Sequence, residues 1–209
     1  MNKPVLIELH YLPSLEYLTL LSSSEKVFLE ANENYTKQSY RNRCYILGAN
    51  KVESLIIPIQ KDKPKMQIRD VKIDYNEQWV KVHWRTIEAA YKKAPFFEYY
   101  SDYFKDIFEK KHTFLWDLNF ELLSICLKFL KVNLPISLTE SYQKEYNEEV
   151  IDVRNVINPK NDYKTNGIYQ EVPYTQNFGN DFVANLSILD LLFCKGNTSK
   201  EILLRSLKK

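Results

Sequence analysis

From residue 77 to about residue 131 the chain reads as three helices in succession, and this run limits the available folds more than any other feature of the sequence. Asn76 can cap the first helix, which extends to about residue 93, where the proline after Ala94 ends it. Val80, Trp84, Ile87 and Tyr91 recur at helical spacing and form its apolar stripe. A second helix follows Pro95. A third, over residues 114–131, carries Leu115, Leu118, Leu122, Ile125 and Phe129 on one face. Stripes of this kind must bury against one another or against a sheet.

The strands are expected upstream. Residues 5–10 read as a buried strand that ends at Tyr11-Leu12-Pro13, after which Ser14 can cap a short helix to Leu21. Residues 26–30 suit a second strand, and residues 43–47 and 54–59 flank the Gly48-Ala49-Asn50 turn as a hairpin or two neighbouring strands. Residues 68–74 alternate apolar and polar, the pattern of a strand with one wet face. Residues 133–180 are rich in loop signals, with short strands expected at 136–138 and 150–153. Ser187-Ile188-Leu189-Asp190 has the form of a capping box, with Asp190 as a capping residue and Gly196 placed to end the helix. A last helix is expected over residues 199–207. Strands first and helices after predict an α+β fold: a small mixed or antiparallel sheet from the N-terminal part, packed against a cluster of helices, as a single domain over residues 1–209.

Composition excludes several classes. The 29 basic and 27 acidic residues leave a formal charge of +2, too weak for a general nucleic-acid binder. With glycine only at 48, 167, 179 and 196, neither of the common glycine-rich phosphate loops can be written. Cys44, Cys126 and Cys194 form an odd set without C-x-x-C spacing, and the histidines at 10, 83 and 112 give no local ligand pair, so no disulfide framework, metal or other cofactor is expected. The first residues lack the pattern of a secretory leader, and no segment approaches about 18 uninterrupted apolar residues, so the expectation is a cytoplasmic protein without a membrane span. The 15 tyrosines and 11 phenylalanines require an aromatic interior, place some rings at a cleft, and would suit a homodimer contact.

The polar block before the hairpin is the principal candidate site. If residues 39–46 are extended, Arg41, Arg43 and Tyr45 share a face, with the two guanidiniums about 7 Å apart. That spacing would clamp a phosphate or carboxylate, with Tyr45 as a stacking floor and Gln38 or Asn42 to orient the ligand. Surface ion pairs to the chain's own acids are the alternative. His83, beside the apolar stripe of the first long helix, is the candidate general base, with a satisfied core histidine as the alternative and the commoner outcome for a lone histidine in such a place. His10, at the end of the first strand, is a second candidate because such ends often border clefts. Asp117 and Asn119 sit at a helix start, where a carboxylate meets first-turn amides or serves in catalysis.

Several ordered blocks resemble the WbqC-like family of bacterial proteins in its Bacteroidota form. They are Tyr11-Leu12-Pro13-Ser14, Ser39-Tyr40-Arg41-Asn42-Arg43, His83-Trp84-Arg85-Thr86-Ile87, Ala94-Pro95-Phe96-Phe97, Leu115-Trp116-Asp117-Leu118-Asn119 and Asn185-Leu186-Ser187-Ile188-Leu189-Asp190. The likeness spans about residues 5–200. The family takes its name from a gene of O-antigen biosynthesis clusters, so the resemblance implies a cytoplasmic step in making or decorating a surface polysaccharide. It also implies that Gln38, Arg41, Asn42, Arg43, His83, Arg85 and Asp117 converge on one cleft. At Ile168-Tyr169-Gln170-Glu171-Val172 the chain departs from relatives that more often carry a histidine there, so no histidine role in the late loop carries over. The reading that follows is a transferase acting on an activated sugar or adding a small acyl or aminoacyl group, with a small anionic substrate. A non-catalytic binding or assembly protein whose arginine face holds an acidic partner is the alternative.

Overall fold

A computed structural model describes residues 3–60, 65–146 and 148–208. Met1 and Asn2 of the leader reading and Asn147 of the loop reading lie outside them. The protein is a mixed α/β fold. Its main sheet is parallel and has four strands in the order β5-β2-β1-β6: β1 (Val5–Ile7), β2 (Val27–Leu29), β5 (Ile136–Leu138) and β6 (Ile151–Asp152). Val5 sits opposite Val27 on one side and Ile151 on the other, while Val27 sits opposite Ile136. β1 is buried on both faces, which explains its continuous apolar run, because a central parallel strand has no wet side. Half of this sheet therefore comes from the loop-rich stretch after the helices, not from the N-terminal part.

The antiparallel component is separate. β3 (Arg43–Leu47) and β4 (Val52–Ile56) form a hairpin whose register pairs Arg43 with Ile56 and Leu47 with Val52. The strand expected over residues 68–74 does not form. Ile68–Asp70 is a short 3-10 turn, and the remainder makes only isolated bridges, Ile59 to Ile73 and Lys72 to Phe114. Alternation alone cannot supply the partner strand that a ladder needs.

The helices are α1 (Leu15–Ser22), α2 (Trp79–Tyr91), α3 (Phe97–Glu109), α4 (Leu115–Phe129), α5 (Ile188–Lys195) and α6 (Ser199–Arg205). Ser14 and Ser187 cap α1 and α5 through their hydroxyls, and the two caps form an antiparallel bridge with each other. This bridge starts both helices from one point. Residues Ile188 to Cys194 are all buried, and α5 packs against α1, α2, α3, α6 and β3 at the centre of a continuous hydrophobic core. Asp190 is more than a cap: its buried carboxylate accepts from the hydroxyls of Tyr91 (3.0 Å) and Tyr174 (2.6 Å) and from Nε2 of Gln176 (2.9 Å). All three cysteines are buried and free, and burial pushes their thiols up, so none is a poised nucleophile. Among the described residues no helix is long and apolar enough to cross a membrane, and no group of three or more His, Cys, Asp or Glu side chains could hold a metal ion.

Candidate functional site

The block expected to be extended is a turn. Residues 37–42 are irregular, Gln38 has φ 55°, and β3 begins only at Arg43. The alternation that would put Arg41 and Arg43 on one face is therefore broken, and the two-pronged clamp does not exist. Arg41 is fully buried, whereas Arg43 is half-buried at the surface of a groove. A glutamine in the left-handed region is strained by about 1–3 kcal/mol, and such strain persists where surrounding contacts hold it.

Arg41 belongs to a cluster at the carboxyl ends of the parallel strands. Its Nε and Nη2 donate to the two oxygens of Glu33 at 2.7 and 2.5 Å, Nη2 also donates to Oδ1 of Asn155 at 2.9 Å, and Nη1 lies 3.6 Å from Glu8. His10 Nε2 lies 3.2 Å from the same Glu8 oxygen, and its ring stacks beside Tyr17 and Tyr40. Next to this group, Arg154 bonds Glu30 at 2.9 Å and both oxygens of Asp152. Open parallel sheets commonly bind ligands at this end, where the order of strands reverses beside β1. Here the position is filled by the protein's own charges. Burial alone would raise the Glu8 carboxyl, but the hydrogen bonds from His10 and the Asn155 amide and the charge of Arg41 hold it below the usual carboxylate range. Burial lowers His10, so its imidazole is neutral at pH 7 and the fixed guanidinium is the cation that holds Glu8 ionised. His10 Nδ1 has no hydrogen-bond partner among the described residues.

The groove on the other side of the turn has a volume of about 600 Å³ and brings together Lys37, Gln38, Asn42, Arg43 and Asp74. Asn42 is committed to structure, because its Nδ2 donates to the Ile57 carbonyl at 2.8 Å and so extends the hairpin by one residue. Arg43 differs from the other two buried or half-buried arginines: among the described residues it has no carboxylate partner, and its Nε is shielded from water without a hydrogen-bond acceptor. A shielded donor of this kind is costly, which marks the position as one that a ligand could satisfy.

His83 stands close to this groove. Its Nε2 lies 3.1 Å from the carbonyl of Ile56, the register partner of Arg43, and its Nδ1 lies 3.0 Å from the Tyr11 hydroxyl. A carbonyl can only accept, so Nε2 carries the proton and Nδ1 accepts from Tyr11. Burial pushes the ring down to about 4 against the opposing effect of the Ile56 bond. With both nitrogens engaged, His83 is a satisfied interior histidine in this state and has no free lone pair for a substrate.

The remaining candidates do not converge. Asp117 is exposed in the first turn of α4, and Arg85 is exposed on α2 beside a separate cleft. Tyr45 packs edge-on against Tyr40 and receives the Ser187 amide on its carbonyl. Asn119 is buried and donates to the Arg41 carbonyl at 2.7 Å, which fixes the turn from below. His112 is only part exposed and bonds Glu121 at 2.7 Å. Glu8, Glu30, Glu33, Arg154 and Asn155 were missed because they lie far apart in the chain, and only the fold makes them neighbours.

Comparison with known proteins agrees with this picture at the level of family. The chain is 28% identical over 145 residues to "Uncharacterized protein Rv1507c" of Mycobacterium tuberculosis, an alignment that covers 68% of this chain and 62% of that protein. No solved structure matches. The sequence profile of the WbqC-like protein family matches residues 9–167, which take in the buried cluster apart from Glu8, the arginine groove and helices α1 to α4, and the chain belongs to that family.

Proposed function

We propose that this protein is a transferase of surface-polysaccharide assembly that binds a phosphate- or carboxylate-bearing substrate in the Arg43 groove. Its reaction would act on an activated sugar or add a small acyl or aminoacyl group. One observation carries the reading: Arg43 is a half-buried cation, unpaired among the described residues, on a groove that also presents Lys37 and Gln38. Paired cations offset the charge of a bound phosphate, and a guanidinium offers it a planar fork of donors. Asp74 also lines the groove. One of its oxygens accepts from the Asn76 amide at 2.9 Å, and the other is left to take a proton from an attacking hydroxyl or amine. The family link to O-antigen clusters makes an activated sugar the natural class of donor.

A thermal-shift screen of the protein and its Arg43→Gln variant against nucleotide sugars, acyl phosphates and amino acids tests the reading. A ligand at about 100 times its Kd adds about 2.7 kcal/mol of stability, enough for a clear rise in melting temperature. The expected result is stabilisation by one anionic class, lost in Arg43→Gln, whose own melting temperature stays close to the parent because no ion pair is removed. If no anionic small molecule stabilises the protein while an acidic protein co-purifies in an Arg43-dependent manner, the chain is a binding protein and the transferase reading falls.

A further inference from the structure

The Arg43 groove, a small groove beside His83 and a third cleft between α2 and α3 all have Glu77 in their lining. The third cleft holds about 450 Å³. Its apolar surface comes from Tyr75, Val80, Trp84 and Phe108, with the Trp84 and Phe108 rings 6.4 Å apart at 59°. Lys81, Arg85, Lys105 and Glu88 stand around it, and among the described residues none of their side chains makes an ion pair or hydrogen bond. The junction is also the amino end of α2. Its first turn carries no acidic side chain and its cap residue, Gln78, makes no side-chain cap, so the first amides are open to an anion. Arg43, whose Nε has no hydrogen-bond partner among the described residues, lines the groove that shares Glu77 with this junction.

Resting on the anion reading of the Arg43 groove, we infer that the donor is a nucleoside diphosphate conjugate. Its base lies in the α2–α3 cleft, its ribose at Glu77, and its diphosphate at the amino end of α2 and Arg43. A flat heteroaromatic ring suits the aromatic surface, and its edge carries both donors and acceptors, which a rim of both signs can meet. An acyl chain would leave those four charged groups unanswered. Glu77 is a carboxylate between the two compartments and can accept from ribose hydroxyls, the use that dinucleotide-binding folds make of an acid beside the phosphate site. Base, ribose and phosphate follow one another in the ligand in the order in which cleft, Glu77 and arginine follow one another in the protein.

Calorimetric titration with ADP, GDP, CDP, UDP, dTDP and inorganic pyrophosphate is the test, on the parent, Arg43→Gln, Val80→Trp and Lys105→Glu. At least one nucleotide is expected to bind about tenfold or more tighter than pyrophosphate, the worth of one base stacked on an aromatic face. Val80→Trp, which fills the cleft, should remove that advantage and leave pyrophosphate binding unchanged. Lys105→Glu alters only the exposed rim and should reduce the advantage even if the bulkier variant folds poorly. Arg43→Gln should weaken nucleotide and pyrophosphate alike. Equal affinity for pyrophosphate and every nucleotide overturns the base cleft while the anion groove stands, and binding of neither overturns both.

Discussion

At the scale of single residues, two histidines that sequence alone offers as proton carriers are held neutral by burial, and this has a measurable consequence. His83 has an ordinary value of 6.5 in the unfolded chain and about 4 in the fold. Between those values the unfolded chain binds more protons, so the stability from keeping the ring neutral is present above about pH 6.5 and is lost as pH falls toward 4. The shift corresponds to about 3 kcal/mol. Urea unfolding at a series of pH values should show this slope in the parent and a shallower one in His83→Gln. Some slope will remain, because His10 is lowered by burial in the same sense. Identical slopes would mean that His83 is as solvated when folded as when unfolded. Arg41 and Arg43 show the same lesson for cations: two residues apart, one is consumed by Glu33 and Glu8, and the other faces a groove.

At the scale of elements, helices announce themselves by their spacing, and α1 and α5 begin at serine caps, whereas α2 begins at Gln78 without a side-chain cap and not at the expected Asn76. The three-helix run, the Ser14 and Ser187 caps and the stop at Gly196 were all legible, because helical spacing and capping are local in the chain. Gly196 does more than stop α5. Its φ is 52°, and a Cβ there would collide with the ring of Phe96, whose amide donates to the Phe193 carbonyl. Gly196→Ala should therefore cost about 2 kcal/mol or more, from backbone strain added to overpacking, read as a fall in the urea midpoint at unchanged slope. A change below about 0.5 kcal/mol would show that the junction between α5 and α6 relaxes freely. The strand expected over residues 68–74 failed for the opposite reason: alternation is local, whereas pairing is a property of two segments.

At the scale of the whole molecule, Arg41 ties together three separate parts of the parallel sheet. Through Glu8, Glu33 and Asn155 it joins the chain just beyond β1, β2 and β6, with Asn155 more than a hundred residues along the chain from the other two. Removing one member of a buried pair leaves the others charged and unpaired, at a cost of about 3–5 kcal/mol. Arg41→Met should therefore lower stability by that amount, while Arg43→Gln leaves it nearly unchanged. Denaturant unfolding of the two variants side by side checks the contrast, and equal effects would contradict the division of labour between them. The cluster also explains why the carboxyl end of this sheet is closed and the candidate ligand surface lies along the hairpin and α2 instead.

Short-range physics governs what could be read before the fold was known: the helices, the Ser14 and Ser187 caps, the buried first strand, the hairpin, the free thiols and the family blocks. The folded chain alone fixes which charges are paired within the protein and which face an open groove. Pairing partners such as Arg41 with Glu33 and Glu8, or Asp190 with Tyr91 and Tyr174, are fixed by a parallel sheet whose outer strands come from residues 136–138 and 151–152. A guanidinium reads the same in sequence whether its partner is a substrate or a buried carboxylate, because the distance between charges that separates the two cases exists only once the chain has folded.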